Sequence, residues 1–209
     1  MKTLLFLLLA SLSFNLFAAQ QGPRELLVEI HDQVITILER DKDRLSKDPE
    51  YLETQLKTLV DPHVDFKAMG RLMLGKHWKT ASAEQRERFT LEFRSMLARI
   101  YGKSIALYDG QNLTFLPFKP GKKANLAKVK SKVNKADGTG LPIDFRLRFK
   151  ESDGWKIFDI TVDGISLIKN YKSSFQREIS QVGLEGLLDN IAKRGKKKKA
   201  EQAADKAAR

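Results

Sequence analysis

Apolar residues recur at every third or fourth position in the first half of the chain, which predicts a series of amphipathic helices. The first stripe starts near Pro23, runs to about Ser46 and comprises Leu27, Ile30, Val34, Ile37 and Leu38. A second helix is expected after Asp48, because aspartate is a favoured N-cap and the following proline suits a first helical turn. It should stop at Asp61-Pro62.

Two more predicted helices flank the stretch "LGKHW", residues 74–78. The segment "VDFKAMGRLML" predicts a short helix that ends at Gly75, since glycine is favoured just beyond a helix C-terminus. Ser82 and Gln85 then fit a capping box, and the helix that they start has apolar spacing as far as Tyr108. Glycine, lysine and histidine side by side suggest reactivity, but this position predicts a turn whose Trp78 points inward.

The apolar period changes to two after Gly110, and four segments bounded by turn residues predict β-strands. These segments are residues 111–118, 124–135, 141–150 and 154–162. The turns between them are short, so neighbouring strands should be antiparallel. The third segment alternates apolar and charged residues, which predicts one buried and one wet face. The fourth segment has apolar residues on both predicted faces.

After the strands, a helix is expected from Ile165 to Gly183, and a short helix should follow it.

Helices, then a strand meander, then helices predict an α+β domain whose helices cover one face of a four-stranded antiparallel sheet. Large apolar side chains should converge between these layers. The pattern leaves two interpretations open: an ordinary packed core, or an apolar cavity that holds a ligand between the layers.

The two ends of the chain differ in composition from its body. Residues 1–19 combine Lys2, a short apolar run and small residues, which indicates a secretory signal cleaved after Ala18 or Ala19, with a membrane anchor as the alternative. Residues 20–192 then form one domain. Residues 193–209 hold eight basic and two acidic residues, and predict a disordered tail or frayed helix that either solubilises the protein or attracts anionic surfaces.

Several classes of chemistry find little support in the sequence. The chain has no cysteine and only three histidines, His31, His63 and His77, none spaced to form a metal-binding helix face. No glycine-rich loop precedes a helix as phosphate binding requires. Asp159 and Asp163 could be a carboxylate pair, but carboxylates at a strand end are more typical of turns. The net charge of +12 suggests nucleic-acid binding, yet the basic strand face lacks interleaved aromatics.

Two stretches of the sequence resemble the MlaC family. They are residues 48–111, "DPEYLETQLKTLVDPHVDFKAMGRLMLGKHWKTASAEQRERFTLEFRSMLARIYGKSIALYDGQ", and residues 154–188, "GWKIFDITVDGISLIKNYKSSFQREISQVGLEGLL". The resemblance implies an NTF2-like or cystatin-like fold with a cavity between a curved sheet and helices that holds phospholipid acyl chains. It implies a soluble periplasmic phospholipid carrier and not an enzyme, with no cofactor beyond the lipid cargo. The alternative is a periplasmic partner-binding domain that acts without lipid.

The resemblance also implies partners and, together with strand alternation, a set of lining residues. The partners are phospholipid, an inner-membrane ABC transporter complex with an MCE-type substrate-binding subunit, and an outer-membrane lipoprotein–porin complex. The carrier is expected to be a monomer that binds no nucleic acid, and no metal or catalytic residue is expected. The predicted lipid-binding residues are Leu74, Trp78, Leu97, Tyr101, Ile105, Ile143, Phe145, Leu147, Phe158 and Ile165.

Overall fold

The structure, a computed structural model, describes residues 21–106, 110, 113–134 and 140–207. Within these ranges the side chains of residues 46, 49, 103–106 and 195–207 are not described. The predicted signal segment, the Tyr108 end of the long helix and the predicted turn at residues 137–139 therefore lie outside the described residues, as does the side chain of Ile105.

Seven α-helices and five strands make up the described part of the chain. The helices are α1 (Pro23–Arg40), α2 (Lys42–Lys47), α3 (Pro49–Leu59), α4 (Phe66–Leu74), α5 (Lys76–Thr80), α6 (Ala83–Ala106) and α7 (Leu167–Ala207), with a 3₁₀ turn at Asp61–His63. The strands are β1 (Leu113–Phe115), β2 (Leu126–Asn134), β3 (Gly140–Lys150), β4 (Gly154–Val162) and β5 (Ile165–Ser166). This order confirms the α+β class.

The helix boundaries follow the capping residues of the sequence. Asp48 accepts the Tyr51 N–H at 3.1 Å, as predicted for an N-cap. Ser82 and Gln85 form the predicted reciprocal box: Gln85 N–H donates to Ser82 Oγ at 3.1 Å, and Ser82 N–H donates to Gln85 Oε1 at 3.0 Å. Gly75 has a φ of 54°, which separates α4 from α5 and turns the buried Trp78 inward.

Two helix predictions needed correction. The first predicted helix does not reach Ser46, because it breaks at Asp41, whose carboxylate binds Arg40 and the Tyr51 hydroxyl. The helix predicted from Ile165 to Gly183 starts at Leu167 instead. The preceding Asp163 and Gly164 both have positive φ, so they form a tight hairpin turn that makes residues 165–166 a fifth strand. Gly183 interrupts α7 with a φ of 74°, close to the predicted helix end.

The sheet is fully antiparallel, with strand order β1-β2-β3-β4-β5. The chain segment before α4 attaches to the free edge of β4, since Asp65 N–H donates to the Ile157 carbonyl at 2.8 Å. Among the described residues, no helix has both the length and the apolarity of a membrane span.

Buried apolar residues form three separate clusters. One lies among α4 to α7 and centres on Phe89, Phe93 and Phe175. A second joins Leu26, Leu27 and Ile30 of α1 to the sheet. A third joins α1, α2 and α3 through Leu38, Leu45 and Leu52. Partly buried residues bridge the clusters: Val34 packs on the second and third, and Val64 on the first and second.

Candidate functional site

One face of the sheet is apolar and faces α1. On β2 the buried Ala127 and Val129 alternate with exposed lysines, and their cross-strand partners on β3 are Leu147 and Phe145. Directly opposed residues of antiparallel strands project to the same side. The predicted alternation of β3 is therefore confirmed, and Ile143, Phe145 and Leu147 share the apolar face.

A β-bulge in β4 makes this face continuous across the sheet. Arg146 pairs with Asp159 while its neighbour Leu147 pairs with Ile157, so Phe158 is the extra residue. Because of that insertion, the partners of the apolar β3 residues are all apolar: Trp155, Ile157, Ile160 and Val162. Regular alternation predicts that Phe158, Ile160 and Val162 all face away from Trp155 and Ile157. This prediction is wrong for Ile160 and Val162, which the bulge returns to the apolar face, and only Phe158 faces away.

Phe158 and Asp159 lie on the opposite face, where both contact Arg146. The Arg146 guanidinium is 4.9 Å from the centre of the Phe158 ring and 3.4 Å from Asp159 Oδ2. The structure therefore separates Phe158 from the predicted lining residues Ile143, Phe145 and Leu147.

Helix α1 covers one end of the apolar face and leaves the other end open to solvent. At the open end, Ile143 opposes Val162, and Val162 opposes Ile165, which gives a row of aliphatic side chains across three strands. Val162 is 37% exposed and Ile165 is 65% exposed, whereas Leu147 and Ile157 beneath α1 are buried. We call Ile143, Val162 and Ile165 the open row.

The predicted lining residues on helices belong to a different layer. Leu74 and Trp78 are buried in the cluster of α4 to α7, and Leu97 packs against it. Tyr101, on α6, is 42% exposed and lies near Tyr171 of α7. Burial, reinforced by Tyr101, raises the pKa of Tyr171 to about 12, so Tyr171 is neutral at physiological pH.

Two buried carboxylates fix the helices that surround the sheet. Asp159 accepts the Ile168 N–H at 3.1 Å and the Ser166 hydroxyl at 2.8 Å, so it holds the start of α7 against β4. Asp65 is the N-cap of α4, accepting the Ala68 N–H at 2.8 Å, and it also pairs with Arg148 and Lys150 of β3. Both aspartates are occupied by structural hydrogen bonds.

The electrostatics of Asp65 follow from these partners. Burial alone would raise the pKa of its carboxyl group. Hydrogen bonds from Lys150, the Ala68 N–H and Arg148 outweigh burial, so the pKa of Asp65 is lowered. The carboxylate is therefore ionised at neutral pH and linked to two cations of the sheet.

The histidines do not converge in the part of the chain that the structure describes. His31 Nδ1 lies 2.9 Å from Asp32 at the edge of α1. Burial, followed by the nearby Lys156 charge, lowers the pKa of His63 in the turn before α4. No group of three histidine, aspartate or glutamate residues suited to a metal is found among the described residues.

Sequence reasoning missed Ile160 and Val162 as members of the apolar face. The Asp163-Gly164 dipeptide, which is a strong hairpin signal, could have identified the β4–β5 pairing and thereby the Val162–Ile165 contact. The bulge at Phe158 had no comparable signal, because it arises from the burial of Asp159 beneath the start of α7.

Fold and site together define an α+β protein whose sheet has one apolar face, partly covered by helices, and one lysine-rich face. The chain belongs to the MlaC family: the family model described as "MlaC protein" matches residues 28–193.

Known relatives cover almost the whole chain. It is 24% identical over 190 residues to the intermembrane phospholipid transport system binding protein MlaC of Haemophilus influenzae, covering 90% of this chain and 89% of that protein. It is 28% identical over 195 residues to the toluene tolerance protein ttg2D of Pseudomonas putida, covering 91% of this chain and 88% of that protein.

A solved structure has the same fold. The phospholipid-binding protein from Ralstonia solanacearum, determined in complex with a phospholipid, superposes with a TM-score of 0.79. It is 25% identical in sequence, and the match covers 86% of this chain and 99% of that one.

Proposed function

We propose that this protein is a periplasmic phospholipid carrier that holds acyl chains against the apolar face of its sheet. The observation that carries the proposal is the open row, in which Ile143 is partly buried and Val162 and Ile165 are exposed beside the α1-covered core. Membership of the MlaC family supports it, as does the fold shared with a phospholipid-bound protein.

The proposed lining residues come from the apolar face of the sheet and from α6, which we propose as the helical wall of the site. Ile143, Phe145, Leu147 and Ile165 contribute from the sheet, and Tyr101 and Ile105 from the end of α6. Leu74, Trp78 and Leu97 support the helical wall from inside its own cluster. Phe158 is excluded from this set, because it lies on the opposite face of the sheet, where its ring contacts Arg146.

Lipid binding of this kind requires the burial of acyl chains and no covalent reaction. Each acyl CH₂ removed from water contributes about 0.8 kcal/mol, so two 16-carbon chains amount to roughly 25 kcal/mol. Spontaneous release into water is therefore slow, and we infer that partners open the site. The proposed partners are an inner-membrane ABC transporter complex and an outer-membrane lipoprotein–porin complex, between which the carrier moves lipid.

Lipid extraction tests the proposal directly. Purified protein is extracted with organic solvent, and the extract is analysed by mass spectrometry. Stoichiometric glycerophospholipid is expected. Absence of lipid would support instead a partner-binding domain that acts without lipid, and a small polar metabolite would indicate an enzyme.

A variant locates the lipid. Ile143→Asp places a carboxylate in the open row, where Ile143 is only partly buried, so the protein should fold and lose its lipid. Pro142→Asp is the matched control, because the neighbouring Pro142 is exposed on the other face, opposite Lys132. Retention of lipid by folded Ile143→Asp, or equal loss in both variants, would contradict the proposed position.

A further inference from the structure

A lysine-rich surface comprises the side of β2 opposite to the open row and the loop that precedes β2. Residues 110–136 contain seven lysines and no acidic residue or arginine. The six lysines with described side chains are all exposed, three in the loop between β1 and β2 and three on β2 itself. We call them the lysine face: Lys119, Lys122, Lys123, Lys128, Lys130 and Lys132.

The strand period explains why the lysines of β2 project together. Ala127, Val129 and Ser131 are buried on the face that α1 packs against, so Lys128, Lys130 and Lys132 stand on the opposite side. Their cross-strand partners on β3 are Arg146, Asp144 and Pro142.

Most of this positive charge is unpaired. Arg146 pairs with Asp159, Arg148 and Lys150 pair with Asp65, and Lys128 pairs with Asp144 at 2.6 Å. Within the described residues, no ion pair involves the other five members of the lysine face. The lysine face is therefore a positive surface that the carboxylates of the described residues leave largely uncompensated.

An apolar side chain lies in the middle of these charges. Leu116 N–H donates to the Lys130 carbonyl at 2.9 Å, continuing the β1–β2 register, so Leu116 stands beside Lys130 on the lysine face. Leu116 is 37% exposed, and Pro117 and Pro120 of the same loop are also exposed. Exposed apolar residues ringed by lysines suit a lipid interface, where the apolar part enters the acyl boundary and ammonium groups stay at the headgroups.

We propose that the lysine face and Leu116 dock the protein on an anionic phospholipid bilayer. A bilayer fits better than an acidic protein for two reasons. Lysine is depleted in protein–protein interfaces, whereas several lysines acting together through diffuse attraction are typical of binding to anionic membranes. This proposal does not depend on lipid carriage, since the lysine face and the open row are on opposite sides of the sheet.

Vesicle sedimentation tests the docking with the full mature chain. Vesicles of phosphatidylcholine alone are compared with vesicles that also contain phosphatidylglycerol, at low salt and at about 0.3 M salt, where charges are strongly screened. Binding is expected only to the anionic vesicles, and it should fall at high salt. No binding to anionic vesicles at low salt overturns the proposal and leaves an acidic protein as the alternative partner.

Charge-reversed variants locate the surface. The triple variant Lys122→Glu, Lys130→Glu and Lys132→Glu should bind anionic vesicles at least tenfold more weakly, and Leu116→Ser should weaken binding several-fold. The matched control is Lys67→Glu, Lys76→Glu and Lys79→Glu, which changes the net charge equally on exposed lysines of α4 and α5. This control should bind like the wild type, and an equal loss in both triple variants would contradict a specific face.

Two further variants test whether the C-terminal lysines or the open row contribute to vesicle binding. Replacing Lys196 to Lys199 by glutamine removes four charges from the C-terminal segment, and should leave most of the binding intact. If only this variant loses binding, the C-terminal segment is the membrane contact and the proposal is wrong. Ile143→Asp should still sediment with anionic vesicles, which distinguishes docking from lipid carriage. The melting temperature of each variant is measured to verify folding.

Discussion

Gly70 sets the spacing at the centre of the helical layer. A Cβ atom at this position of α4 would lie 2.7 Å from the Trp78 ring and 3.1 Å from the Phe89 ring. Trp78 and Phe89 pack edge to face with ring centres 6.5 Å apart, and Phe89 stacks on Phe93. The absent side chain therefore lets two aromatic rings close over α4.

This geometry predicts that Gly70→Ala destabilises the protein despite the better helix propensity of alanine. Propensity alone would stabilise the folded state by about 1 kcal/mol. Overpacking against two buried rings costs about 1–3 kcal/mol, and the 2.7 Å approach to the Trp78 ring favours the upper part of that range. We therefore expect a net loss of about 1–2 kcal/mol in the free energy of unfolding. Urea denaturation measures it.

The control for this substitution is Gly121→Ala. Gly121 lies in the exposed loop before β2 and has no positive φ, and a Cβ atom there would meet nothing within 4 Å beyond its chain neighbours. Its replacement should therefore be close to neutral. A gain in stability for Gly70→Ala would mean that Trp78 and Phe89 move aside without cost.

At the scale of elements, Asp65 joins a helix to the sheet. Its carboxylate caps α4 and pairs with Arg148 and Lys150 of β3. Hydrogen bonds lower its pKa in the folded state against the opposing effect of burial. A lowered folded-state pKa stabilises the protein above the unfolded-state pKa of about 4, and this contribution is lost as the pH falls through the folded-state value.

Asp65→Asn should therefore destabilise the protein at pH 7 by about 1–3 kcal/mol, since asparagine keeps the cap but loses the charge that both cations contact. The stability difference between wild type and variant should shrink as the pH falls from about 5 towards 3. Denaturation at several pH values measures it. Glu151→Gln, which removes an exposed carboxylate from the turn after β3, is the control. If the stability difference between wild type and Asp65→Asn stays constant over this pH range, the charge of Asp65 does not contribute to stability.

Elements were predictable from sequence where local chemistry determines them. Asp48, Gly75 and the Ser82–Gln85 box each act through hydrogen bonds or backbone angles within one turn, and each prediction is confirmed. The alternation in β3 is likewise local. The bulge at Phe158 and the capping of α7 by Asp159 depend on contacts between distant elements, so no periodicity indicates them.

The candidate site illustrates the same limit. Alternation placed Ile143, Phe145 and Leu147 on one face, which the structure confirms. It could not show that α1 covers Leu147 while Val162 and Ile165 remain exposed, because coverage depends on where α1 packs. The helical residues Leu74 and Trp78 were grouped with the sheet residues by size alone, and they belong to a separate cluster.

Considered as a whole molecule, the protein distributes its buried apolar residues over three clusters that only partly buried residues connect. The open row belongs to none of these clusters and is apolar surface that Val162 and Ile165 expose to solvent. An acyl chain placed against the open row would remove that surface from water. Bound lipid should therefore stabilise the folded state of the protein.

Removal of bound lipid should therefore lower the melting temperature of the protein. A ligand present at about one hundred times its dissociation constant stabilises the folded state by about 2.7 kcal/mol. For a domain of this size, each kcal/mol shifts the melting temperature by roughly 2–4 °C, so a decrease of about 5–10 °C is expected. Scanning calorimetry on protein as purified and on protein delipidated by reverse-phase chromatography and refolding measures it.

The two variants of β3 make the prediction specific. Ile143→Asp should melt at the same temperature before and after delipidation, because it carries no lipid to lose. Pro142→Asp should show the full wild-type decrease. If the wild type yields stoichiometric phospholipid on extraction but melts at one temperature in both forms, the lipid is held outside the open row, where it contributes nothing to the packing between the layers.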